Sequence, residues 1–70
     1  MNKIREYREK AGLTRQKLAE KLDISYTTLY YVEHGRNCSL DIASKFANFF
    51  GVKIEDLFPH LERKHKRVTV

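Results

Sequence analysis

Ser25, Tyr26, Thr27, Tyr30 and Tyr31 crowd hydroxyl groups and aromatic rings into one short segment. Serine and threonine hydroxyls bond to base edges in a DNA major groove, and aromatic carbons pack against a thymine methyl group. Residues able to act as nucleophiles or metal ligands are scattered instead. His34, Cys38, His60 and His65 match no zinc spacing such as C-x2-C paired with H-x3-H. A cysteine nucleophile working with one of these histidines would need a cleft and an orienting group, and 70 residues supply little of either. The expectation is a binding protein with no catalytic residue, no metal and no cofactor.

Presenting the five side chains together requires a helix whose opposite face is buried. Leu29 and Val32 are the apolar positions of such a helix, and burying them turns Ser25, Tyr26, Thr27, Tyr30 and Tyr31 outward. Ser25 can cap its start and Gly35 ends it. A short helix precedes it, with Thr14 as N-cap and Leu18, Ala19 and Leu22 as the apolar stripe. Asp23 breaks that pattern, and Ile24 returns to the core. A bend between the two helices brings their apolar residues into one small core. Three supporting helices are expected. The first carries Ile4, Tyr7 and Ala11 on its inner face and closes at Gly12. The fourth starts at Ser39, with Asp41 in its first turn, and carries Leu40, Ala43, Phe46, Ala47 and Phe50 until Gly51. The fifth runs from Ile54 to Phe58 with Lys53, a poor capping residue, before it and Pro59 after it.

With 41% apolar and 33% charged residues the chain reads as one compact domain. Its core is marginal, and the single Cys38 cannot form an intramolecular disulfide, so close helix packing or dimerisation must supply stability. There is no 18-residue apolar stretch, and Met1-Asn2-Lys3-Ile4-Arg5 is charged where a signal peptide needs its apolar run. The expectation is a cytoplasmic protein without a membrane partner. The net charge of +5 fits a polyanion partner. Residues 60–70 carry +3 of it through Arg63, Lys64, Lys66 and Arg67 against Glu62, leaving +2 for residues 1–59. The division is thus a domain over 1–59 and a basic tail over 60–70, read either as a frayed end or as a dimerisation strand.

The run Leu13-Thr14-Arg15-Gln16-Lys17-Leu18-Ala19-Glu20-Lys21-Leu22, followed by Ile24-Ser25-Tyr26-Thr27-Thr28-Leu29, resembles the phage Cro and repressor (Xre-type, lambda-repressor-like) helix-turn-helix family. Val32-Glu33-His34-Gly35, Leu40 to Phe50, Gly51-Val52 and Leu57-Phe58 extend the resemblance over roughly Ile4 to Phe58. It implies an all-α, compact five-helix domain with the helix-turn-helix at helices two and three. It also implies base contacts from Ser25, Tyr26, Thr27 and Tyr31, with Tyr30 as a further contact, and a structural salt bridge between Arg8 and Glu33. Thr14, Arg15 and Gln16 at the start of helix two, with His34, Arg36 and Asn37 beyond helix three, are the phosphate-contacting set. Asp23 departs from the family's glycine in the turn, at a cost of about 1 kcal/mol for left-handed geometry. Cys38 stands where proline is common. Three tyrosines with no glutamine, asparagine or arginine in the reading helix leave the base preference unassigned.

The function implied is a sequence-specific regulator of transcription on double-stranded DNA, a repressor of phage, mobile-element or antitoxin type acting as a homodimer on a two-fold operator. The competing class is a protein-binding module, like an anti-repressor, that engages another regulator through the same tyrosine face. Phe49, beside the helix-four stripe, is expected at a dimer contact more than in the core.

Overall fold

The computed structural model describes residues 2–59, so the expectations placed on the 60–70 tail lie outside the described residues. Within them the chain forms α1 (Ile4–Lys10), α2 (Arg15–Leu22), α3 (Tyr26–Glu33), α4 (Leu40–Phe50) and α5 (Ile54–Leu57), with no strand. Side chains cap three of these helices at their starts. Thr14 Oγ1 accepts from the Lys17 amide at 3.1 Å, Ser25 Oγ from Thr28 at 3.0 Å and Ser39 Oγ from Ile42 at 3.2 Å. Each satisfies an amide that the helix itself cannot.

Two helices start differently. Lys3 gives α1 no side-chain cap, and Asn2 stands in: its Oδ1 accepts from the Ile4 amide at 3.1 Å while its Nδ2 donates to the Val32 carbonyl at 2.7 Å. One asparagine therefore starts the first helix and ties it to the end of α3. At α5 the poor cap Lys53 is compensated from inside the helix, where Asp56 Oδ2 accepts from the Lys53 amide at 3.0 Å.

The turn between α2 and α3 rests on Asp23, whose φ of 57° and ψ of 46° lie in the left-handed region. There its amide donates to Glu20 and the Ile24 amide to Ala19, closing the last carbonyls of α2. That geometry reverses the chain in few residues and delivers Ile24 against the core and Ser25 to its capping position. Asp23 thus takes the left-handed geometry that a glycine would take, a conformation aspartate tolerates better than most residues.

The core draws on every helix: Ile4 from α1, Leu18, Ala19 and Leu22 from α2, Leu29 and Val32 from α3, Ala43, Phe46 and Ala47 from α4, and Leu57 with Phe58 from the last turn. Ile4, Leu18, Leu29, Phe46 and Leu57 are wholly buried, and each side chain of this size removes about 1.5–3 kcal/mol worth of apolar surface from water. The Lys3 amide donates to the Leu57 carbonyl at 2.9 Å, so the two ends of the domain meet. Among the described residues no helix is long and apolar enough to cross a membrane.

Two stripe assignments are corrected. Leu40 is 72% exposed, because as the first residue of α4 it sits at the helix rim, one turn short of the packed face that begins at Ala43. Ala11 is also exposed, as the C-cap residue beyond the last turn of α1. Arg8 replaces it on the inner face of that helix.

Candidate nucleic-acid interface

Leu29 and Val32 anchor α3, and Tyr26, Thr27, Tyr30 and Tyr31 face out. Ser25, Tyr26, Thr27, Tyr30 and Tyr31 are all exposed. The Ser25 hydroxyl is already engaged: it accepts from the Thr28 amide and donates to Thr28 Oγ1 at 2.8 Å. One acceptor lone pair is left to it. Thr27 makes no hydrogen bond through its hydroxyl among the described residues, so its donor and acceptor are both open. Tyr26, Thr27, Tyr30 and Tyr31 enclose an open cleft of about 250 Å³. Tyr30 and Tyr31 meet edge to face, with ring centroids 5.5 Å apart and planes at 83°.

Both rings are braced. The Arg15 guanidinium lies 5.3 Å from the centre of the Tyr30 ring, and the Arg36 guanidinium 4.7 Å from that of Tyr31. Successive residues on a helix are turned by about 100°, so the two arginines occupy different sides of the exposed face. The His34 imidazole stacks on Tyr30 at 4.1 Å, and its Nδ1 lies 2.7 Å from the Tyr30 carbonyl, a contact that places a proton on Nδ1.

Beneath this face lies a charge cluster only half legible in the sequence. The Glu33 side chain is 1% exposed. Its Oε2 accepts from Arg8 Nε at 2.6 Å, its Oε1 accepts from Arg8 Nη2 at 3.5 Å and from Arg15 Nε at 2.9 Å. Arg8 is 10% exposed and also donates through Nη1 to the Leu13 carbonyl at 2.8 Å. The Arg8 and Glu33 pairing therefore joins α1 to α3, and Arg15 adds α2 to the same carboxylate. Glu33 first, and the Tyr26 hydroxyl after it, hold the Arg15 guanidinium even more firmly protonated than usual. No spacing signal marks Arg15 as the second partner. What could have found it is the surplus: a buried carboxylate has lone pairs for more than one guanidinium.

The residues expected to contact phosphates, His34 apart, divide between two hollows. Thr14, Arg15, Gln16 and Tyr26, with Arg8 behind them, line one of about 410 Å³ at the start of α2. There the Arg15 and Gln16 amides have no intrahelical partner, and the positive end of the helix dipole favours an anion. The second, about 330 Å³, lies between α3 and α4 and includes Thr27, Tyr31, Arg36, Asn37, Cys38 and Ser39 in its lining. Burial raises the pKa of the half-buried Cys38 thiol, which keeps it protonated and poorly nucleophilic. Among the described residues no three His, Cys, Asp or Glu side chains come together to hold a metal, and His60 and His65 lie outside them. Phe49 is partly exposed at the far end of α4, in edge contact with Phe50 at 5.2 Å.

The helix-turn-helix family model matches residues 4–57, which contain all five helices. An uncharacterized HTH-type transcriptional regulator of Methanocaldococcus jannaschii is 48% identical over 58 residues, covering 81% of this chain and 88% of the relative. One from Archaeoglobus fulgidus is 44% identical over 57 residues, covering 80% and 81%. Another, from Methanothermobacter thermautotrophicus, is 40% identical over 57 residues, covering 79% and 83%.

Proposed function

Because the chain belongs to the helix-turn-helix family in its Xre, lambda-repressor-like form, we propose that it is a sequence-specific regulator of transcription that lays α3 in the major groove of double-stranded DNA. The family is one of DNA-binding proteins and not of enzymes, and the relatives' names as HTH-type transcriptional regulators support the reading. The observation that carries it is the outward face of α3. Thr27, Tyr26, Tyr30 and Tyr31 stand exposed on a helix whose other face is locked into the core by Leu29 and Val32. A rigid helix of this width enters the groove and holds its side chains at base edges.

In this proposal Thr14, Arg15 and Gln16 grip the backbone on one side, and His34, Arg36 and Asn37 on the other. Those contacts fix register and carry no sequence information. A domain of this size covers about half a dozen base pairs, so the working unit is a homodimer on a two-fold operator with half-sites about 10 base pairs apart. Phe49 supplies part of the dimer contact, and occlusion of polymerase makes the protein a repressor.

Thr27→Ala and Tyr31→Ala are each expected to cost about 1–3 kcal/mol of binding to the operator and little on random DNA. Both residues are exposed, so folding is left within about 0.5 kcal/mol of the parent. Titrations of both DNAs with each variant decide the matter: equal losses on the two would reject base reading by this face.

A further inference from the structure

The cleft on α3 has a more specific shape than a generic reading surface. Its walls are the rings of Tyr26, Tyr30 and Tyr31, and Thr27 lies among them. An arginine lies against each of two of these walls. Arg15 packs on Tyr30 and is itself fixed by a hydrogen bond to the buried Glu33 carboxylate, while Arg36 packs on Tyr31. A ring has only two side-chain torsions, and a ring with a cation over its face loses little further freedom on binding. The cup therefore exists before any partner arrives.

Resting on the DNA-binding reading above, we infer that this braced tyrosine cup is a receptor for the C5-methyl edge of a pyrimidine, and so selects thymine or 5-methylcytosine at one position of the operator. The ring carbons offer an apolar contact that a C5-methyl group fills and the bare C5–H of cytosine leaves empty. The Thr27 hydroxyl both donates and accepts, so it meets thymine O4 or the cytosine 4-amino group equally well. Discrimination at this position then comes from the methyl group. The flanking arginines add a cation on each side of the cup, matching the phosphates that flank any base in a strand.

The test starts from the operator recovered by selection from a random pool. Each thymine is replaced in turn by uracil, which removes the methyl group and nothing else. At one position of the half-site the wild-type protein is expected to lose affinity about four-fold, the worth of one buried methyl group. Placing 5-methylcytosine there, paired with guanine, should bind about four-fold more tightly than unmodified cytosine. Tyr30→Phe keeps the cup and should keep the four-fold uracil effect, whereas Tyr30→Ala and Tyr31→Ala should abolish it at that position. An operator with no uracil-sensitive position, or one whose sensitivity survives both alanine variants, overturns the inference and leaves DNA reading by α3 standing. A pool that yields no operator removes that reading, and the cup with it.

Discussion

Glu33→Ala is expected to destabilise the domain by about 3–5 kcal/mol, the cost of leaving a buried charge without its partner. The carboxylate is 1% exposed, and its loss leaves Arg8, 10% exposed, with only the Leu13 carbonyl as partner among the described residues. Arg8→Ala is expected to cost less, because Arg15 Nε remains on Oε1 at 2.9 Å and keeps the carboxylate partnered. For a chain of this length total stability is about 4–10 kcal/mol, so the glutamate variant loses a large part of it. Urea denaturation of both variants measures the order directly. A cost below about 1 kcal/mol for Glu33→Ala would mean that the cluster is worth no more than a solvated surface pair, and a greater cost for Arg8→Ala would mean that Arg15 does not keep the carboxylate partnered.

Phe46→Ala should cost a similar 3–5 kcal/mol through a different cause. Phe46 is wholly buried and stands on α4, the longest helix, within a core to which every helix contributes. So small a core has no neighbouring layer that can collapse into the cavity, which places the cost towards the upper end of the range. The expected signature is a lower urea midpoint at unchanged slope, because the surface exposed on unfolding is nearly the same. A midpoint shift worth less than about 1 kcal/mol would show that Phe46 does not organise the core.

Phe46 also marks what was legible from residues alone. Its spacing from Ala43, Ala47 and Phe50 follows the helical period, and periodicity reports which side chains share a face. Periodicity does not report where along the helix the neighbouring layer stops, and so Leu40, on the same stripe, is left in solvent. Capping was readable for the same local reason: Thr14, Ser25 and Ser39 each accept from an amide three residues on. Asn2 was not readable in this way, since its second bond reaches the Val32 carbonyl 30 residues away.

The candidate site divides along the same line. The exposure of Tyr26, Thr27, Tyr30 and Tyr31 follows from the burial of Leu29 and Val32, and needed only the helical period. The arginines over Tyr30 and Tyr31, and the sharing of Glu33 between Arg8 and Arg15, depend on how three helices pack. No local pattern contains that. The family resemblance supplied one of the two partners of Glu33, and tertiary geometry supplied the other. Ser25 illustrates a competition that a motif conceals, because a hydroxyl that caps α3 has less left to offer a base.

DNA selection from a random pool, followed by titration of the winning sequence and of random DNA across a salt series, tests most directly that α3 reads sequence in the major groove. A two-fold motif bound at least about 10³-fold more tightly than random DNA is expected, with both affinities falling as salt rises. No enrichment, or a winner bound no better than random sequence, would contradict it and leave the tyrosine face as a surface for another protein.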